Sequence, residues 1–255
     1  AGDLQNQCTA SAYGLLSYSV PFFGLYGACS TMVEGLLLAS IGISGGAFAR
    51  CAAIASSHNS SAERQYRTPL GYGGQRSPTA QWTVTGSGAF IIGSGGKAKI
   101  RAALPGIVVE KGIKDASNMG AAMAPAAANT LSRFFAETAT SPADYDLIVT
   151  GDLGYEGGAI LCDLMLAESR DIRNNYTDCG MLIYSKATQD KHSGGSGCGC
   201  SAVTLCGYLL TKIKQRKYKK ILFCGTGALL SPTSTQQGLP IPGVCHAVSI
   251  IGKDA

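Results

Sequence analysis

One cysteine stands where chemistry is expected. Cys29, in the run GACST, follows a short apolar stretch ending at Gly27 and opens an apolar helical pattern at Ser30 and Thr31. Small residues on both sides permit a sharp strand-to-helix turn, and a side chain there meets the free N–H groups and positive dipole end of the helix. Both favour a thiolate nucleophile or a bound anion. The alternative is a buried small apolar side chain, the usual fate of a free cysteine.

Other groups with chemistry are few. His58 closes the strand CAAIASSH, His192 precedes the glycine loop SGGSG, and His246 begins the last strand, HAVSI. A ligand in an open α/β sheet gathers at strand C-terminal ends, which favours His58. His192 reads equally as a solvated loop residue, and His246 as a core residue. Asp3, in AGDLQNQ, could orient a donor, accept a protonated ligand group, or cap a helix. The polar insertion Asn59 to Gln81 carries Arg64, Arg67 and Arg76, with Tyr66, Tyr72 and Trp82 nearby. Cys198, Cys200 and Cys206 give C-x-C-x5-C, which is not a zinc spacing. GSGGK, from Gly93 to Lys97, lacks the full phosphate-loop spacing and reads as a hairpin turn. Neither a metal nor a cofactor is expected.

The elements that must position these residues alternate. After the Cys29 helix come the strand CAAIASSH, the insertion, and TVTGSGAFIIG, whose apolar halves flank a Gly-Ser-Gly kink. A connection, GIVVEKGIKDASNMG, leads to the helix APAAANTLSRFFAETA, the strand DYDLIVTGD and the helix GGAILCDLMLAES. The glycine loop then opens the helix AVTLCGYLLTKIKQ before the strand KKILFCGTGALL. This pattern predicts an α/β protein with helices on both faces of its sheets and two related halves, residues 1–115 and 116–255.

Composition agrees. With 255 residues, 45% hydrophobic and only 15% charged, the chain can bury an extended core. Its 34 glycines are scattered through turns and follow no linker period. The ten cysteines fall mostly inside apolar segments, which favours a reducing compartment over a disulfide framework. No apolar run is long enough to predict a membrane span. The chain opens without Met, in mid-pattern, so N-terminal strands of a fuller protein are expected to precede it. Much of the net charge of +5 lies between Lys212 and Lys220. That run reads as a solvated helix face before a docking site for nucleic acid or anionic lipid, and it lacks the interleaved aromatics of a single-strand binder.

The segment from Phe22 to Glu34, the later TGSGA and the glycine loop with its helix resemble the thiolase-like fold of ketoacyl synthases and thiolases. More narrowly, AGDLQNQ, PFFGLYGACSTM, ERQYR, PTAQWTVTG, GGSGCGCSA, TGALLSP and HAVSI resemble the stage V sporulation protein AD family, from Ala1 to Ile250. The resemblance implies a thiolase-like fold, binding of dipicolinic acid (pyridine-2,6-dicarboxylate, alone or as its calcium chelate), and a part in its uptake into the developing spore. It further implies homo-oligomers, the other SpoVA membrane proteins as partners, no nucleic acid, and a peripheral place on the cytoplasmic side of the spore inner membrane.

A ketoacyl synthase needs an imidazole at the end of a second-half strand, where this chain has Gly151 and Asp152. A carboxylate there would repel a developing oxyanion. A set of Cys29, His192 and Cys224 would suit a thiolase, but the NxxGG lead-in and triple-glycine ending are missing. Binding is the simpler expectation. A flat aromatic dianion calls for a fork of donors, a positive dipole end and a planar stacking partner. The expected contacts are Asp3, Cys29, His58, Arg64, Arg67, His192 and His246, with no catalytic residue; an active acyl-CoA enzyme using Cys29 and an inert scaffold for membrane partners remain the alternatives.

Overall fold

A computed structural model describes residues 1–66 and 76–253, apart from the side chains of Asn6, Glu63 and Arg64. Strand β1 (Gly2–Asp3) and helix α1 (Thr9–Leu15) lead through an extended segment to α2 (Thr31–Ser44) and β2 (Arg50–Ser57). Then follow α3 (Asn59–Tyr66), β3 (Trp82–Thr83), β4 (Gly86–Gly93) and β5 (Ala98–Leu104). The later part comprises α4 (Met119–Thr138), β6 (Leu147–Thr150), α5 (Gly154–Ala167), β7 (Tyr176–Asp178), α6 (Cys179–Ile183) and β8 (Gly195–Ser196). Helices α7 (Cys198–Val203) and α8 (Leu210–Lys214) are joined by a π turn, Thr204–Leu209; β9 (Lys220–Ala228), α9 (Pro232–Gln236) and β10 (Gly243–Gly252) complete the chain.

These strands form a three-stranded sheet, β1-β2-β4, a five-stranded sheet, β5-β10-β9-β6-β7, and a short pair, β3-β8. Side-chain alternation along β9 sets the layers. Ile221 and Phe223 join Met32, Val33 and Leu36 of α2, whereas Leu222 and Cys224 join Met123, Ala127 and Leu131 of α4. Helix α2 therefore lies between the sheets, packed on β2 and β4 and on β9 and β10, with α7 beside it. Helix α4 covers the far face with α5. Each fully buried large side chain of α4, such as Met123, Leu131 or Phe134, contributes on the order of 2 kcal/mol. Asn118 starts that helix by accepting from the Ala121 N–H at 3.2 Å, five residues upstream of the expected start.

Three local expectations are corrected. The apolar stretch before Gly27 is no strand: among the described residues only Leu25 of this stretch bridges, to Gly2, while Val20 and Phe23 lie exposed. The two apolar halves of TVTGSGAFIIG do fall in different strands, β3 and β4, but the break lies at Val84 and Thr85, and the Gly-Ser-Gly triplet belongs to β4, which runs unbroken from Gly86 to Gly93. Those glycines admit α7 instead, since a Cβ on Gly88 would stand 2.7 Å from the Ala202 carbonyl oxygen and one on Gly86 would stand 2.6 Å from Val203. Finally, Gly93–Lys97 is not a hairpin turn, because β4 pairs with β2 and β5 pairs with β10. It carries the chain from one sheet to the other, and 115/116 falls in the loop between β5 and α4.

Candidate ligand pocket

Cys29 sits in a tight 3₁₀ turn, Ala28–Ser30, that leads into α2. Ala28 adopts φ 52°, a left-handed conformation that costs a non-glycine residue about 1 kcal/mol or more. The surroundings over-determine it. Ser30 Oγ donates to the Gly27 carbonyl at 2.6 Å, Thr31 Oγ1 donates to the Ala28 carbonyl at 2.7 Å, and the Gly27 N–H donates to Thr31 Oγ1 at 3.0 Å. The turn rests on β9 through two glycines of the CGTG run: a Cβ on Gly225 would meet Val33 at 2.6 Å, and one on Gly227 would meet the Gly27 carbonyl oxygen at 2.7 Å.

The partner that meets this cysteine is a carboxylate. Ser196 Oγ lies 3.9 Å from Cys29 Sγ and donates to Asp152 Oδ2 at 3.0 Å. Asp152, fully buried after β6, also accepts from the Gly197 N–H at 2.9 Å and from Thr226 Oγ1 at 2.8 Å. Burial, and then the neighbouring Asp152 charge, push the Cys29 thiol far above its ordinary range. Burial likewise raises the Asp152 carboxyl, against the hydrogen bonds that favour its charge. Behind it, Asp178 accepts from the Leu153, Gly154 and Gly180 N–H groups and from Thr150 Oγ1 at 2.6–3.0 Å; burial raises it to about 6. Two buried carboxylates thus hold the loop after β6 and the glycine loop against the elbow.

None of the three imidazoles is recorded in contact with Cys29. His192 Nδ1 pairs with the Ser77 carbonyl at 2.9 Å, and its Nε2 lies 3.2 Å from exposed Asp190. His246 Nδ1 accepts from the Gly106 N–H at 3.0 Å. His58 is exposed between β2 and α3. Asp3 is spent locally, accepting from the Gln5 N–H at 2.7 Å and from the Ser11 N–H and hydroxyl at 2.8 and 2.6 Å. Cys224 belongs to the α4 layer, so the Cys29, His192 and Cys224 set does not assemble. Arg64 lies in α3 with its side chain outside the described residues, and Arg67 lies outside them altogether.

A cavity of about 440 Å³ opens beside Cys29 and Ser196, with Tyr66, Arg76, Gln81 and Ser117 among its walls. The Arg76 guanidinium stacks 3.5 Å from the Trp82 ring centroid and donates to the Gln81 carbonyl at 3.0 Å. Gln81 Nε2 is fixed by the Asp152 and Gly195 carbonyls at 2.5 and 3.0 Å, while its buried Oε1 has no partner among the described residues. Sequence reasoning missed Gln81 and Ser196 as wall residues. PTAQWT carried the first, and the glycine loop the second, but only the fold brings them together.

Residues 1–251 match the family described as Stage V sporulation protein AD. The chain is 43% identical over 249 residues to the Stage V sporulation protein AD of Bacillus subtilis (strain 168), covering 97% of this chain and 73% of that protein. Among solved structures, 3-oxoacyl-[acyl-carrier-protein] synthase III from Aquifex aeolicus superposes with TM-score 0.56 at 14% identity, over 95% of this chain and 71% of that one. A variant of OleA from Xanthomonas campestris gives 0.60 at 11% identity, over 96% and 70%. At such identities the structural likeness establishes the thiolase-like fold alone.

Proposed function

Because the chain belongs to the stage V sporulation protein AD family, we propose that it is a non-catalytic binding protein for dipicolinic acid, free or as its calcium chelate, within the SpoVA uptake system. One observation carries this reading. The cavity beside Cys29 is walled by Arg76, Tyr66, Gln81 and serine hydroxyls, and the group that meets the thiol is buried Asp152 in place of an imidazole. Such a site can hold a planar anion by stacking, hydrogen bonds and a guanidinium, and among the described residues no imidazole stands at Cys29 to make it a thiolate. Helix α3 places Ala62 and Tyr66 on the wall. No helix among the described residues is long and apolar enough to cross a membrane. The proposed place is peripheral, on the cytoplasmic side of the spore inner membrane, beside the SpoVA membrane proteins and as a homo-oligomer.

Calorimetry with dipicolinate tests the proposal. Micromolar-range affinity is expected, falling about tenfold or more in Arg76→Ala and Arg67→Ala. No heat at millimolar ligand overturns it. The strained elbow at Ala28 favours a second reading, acyl transfer through Cys29. Intact mass after incubation with acyl-CoA decides between them, since an acyl adduct on Cys29 supports the enzyme.

A further inference from the structure

Lysines that are scattered in sequence converge on one end of the molecule, opposite the pocket. Helix α2 spans 14 residues, so about 20 Å separate the Cys29 turn from Ser44 at its far end. At that far end β9 begins and β10 finishes, and β5 begins in register with β10, Ala98 opposite Gly252 and Lys99 opposite Ile251. The Lys253 N–H donates to the Lys97 carbonyl at 3.1 Å. A groove runs between the facing edges of β4 and β5; Lys97, Lys99 and Lys214 of α8 line one stretch, and Lys253 with Ser44 of α2 lines the next. All four lysines are exposed, and no ion pair is recorded for them among the described residues. Ile41, 59% exposed, and Phe48, 47% exposed, flank this end on α2 and on the turn after it.

The rest of that end is different. Beyond β7, Arg170 pairs with Glu168 and Arg173 pairs with Asp171. Asp146, at the start of β6, is engaged by the Lys219 and Lys220 N–H groups at 2.6 and 2.8 Å. The exposed cations at this end lie mainly toward β5, β10 and α8, with Arg50 beside Gly93 at the start of β2 and Lys219 ahead of β9. We propose that this surface docks onto a bilayer rich in anionic phospholipid headgroups, the lysines lying in the headgroup layer and Ile41 and Phe48 at the acyl boundary. It is a site distinct from the pocket and does not rest on the dipicolinate reading.

Charge decides the occupant. A second copy meeting the same face across a two-fold axis would set lysine against lysine. Single-stranded nucleic acid would call for several aromatic platforms, whereas Phe48 stands here beside aliphatic Ile41 and Ile91. A lipid surface uses both features together, point charges in the headgroup layer and apolar tips below it.

The test is flotation of the purified 255-residue chain with protein-free vesicles of phosphatidylcholine, with and without phosphatidylglycerol. The chain is expected to float only with the anionic vesicles and to be released by high salt. The variant Lys97→Glu, Lys99→Glu, Lys214→Glu should lower partitioning at least about tenfold, and Phe48→Ser several-fold. Lys186→Glu, which removes the lysine stacked on Tyr155, should leave partitioning unchanged. Lys253→Glu gives an independent reading if the triple variant loses its melting transition. Absence of flotation at low salt, flotation that the charge reversals leave intact, or capture of RNA homopolymer in place of vesicles would each overturn the proposal.

Discussion

Two glycine-bearing turns meet at Cys29, and they differ in what they bring. The elbow, Gly27 to Thr31, brings a strained backbone locked by its own hydroxyls and seated on β9 through Gly225 and Gly227. The loop from His192 to Gly197 also brings a fixed backbone, with Gly194 and Gly197 at φ 103° and 104°. Its imidazole, however, is turned outward to Ser77 and Asp190, and Ser196 stands at the thiol instead, tied to buried Asp152. Steric demands fix such backbones, because a Cβ at Gly225 or Gly227 has no room. Side chains are under no such demand. A turn of this shape is therefore evidence of a place for chemistry and leaves the chemistry itself open.

The largest test of that contrast sets Asp152 against His192. Asp152→Ala orphans the Gly197 N–H and the hydroxyls of Ser196 and Thr226, and should cost about 4 kcal/mol in urea unfolding. His192→Ala removes contacts at a partly exposed position and should cost under about 1 kcal/mol. Equal costs would break the comparison, since the loop's imidazole would then be as structural as the carboxylate.

Acidity sharpens it further. Asp178, fully buried, titrates at about 6 in the fold against an ordinary 3.8, so the folded chain holds its proton more tightly than the unfolded one. Its contribution is fully present below pH ~4 and is lost as pH rises through about 6. The two values differ by about 2 pH units, which amounts to on the order of 3 kcal/mol. Burial raises Asp152 as well, and it acts in the same direction. Exposed Asp171, lowered to about 2 by Arg173, opposes this only at more acid pH, and half-buried His246, lowered by burial, offsets part of it within the window. Urea midpoints should therefore fall from pH 4 to pH 6.5, and Asp178→Asn should flatten that slope. A rise across the window would mean that the carboxylates are ionised and stabilising.

How much of this was legible beforehand follows from range. The Cys29 turn and the alternation of strands and helices could be read from short segments, because GACST and the apolar runs carry local steric information, whereas the thiolase-like fold rested on the resemblance of the Phe22–Glu34 segment, TGSGA and the glycine loop to a known family. The GSG triplet misled because a glycine reads as a bend, whereas here it admits a helix from 114 residues away, Ala202 against Gly88. GSGGK misled similarly: nothing local says that β4 and β5 enter different sheets. Ser196 and Asp152 were seen as loop and strand-end residues, but a contact between positions 44 apart is set by packing alone. His192 and His246 were natural candidates by residue type, and their hydrogen bonds to Ser77 and Gly106 depend equally on distant segments.

The smallest effect comes from the thiol itself and bears directly on the elbow. Cys29 is 7% exposed and raised far above its ordinary range by burial and Asp152, whereas Cys206, in the π turn, is exposed. A thiol reacts as its thiolate, so iodoacetamide at pH 8 should modify Cys206 at least about tenfold faster than Cys29, as read by peptide mapping. Replacing Asp152 by Asn removes the neighbouring negative charge and should narrow that gap several-fold, provided the circular dichroism melt persists. If Cys29 were modified first, the dipole of α2 would outweigh burial and the carboxylate, and the elbow would hold an activated nucleophile. The acyl-transfer reading would then prevail over binding.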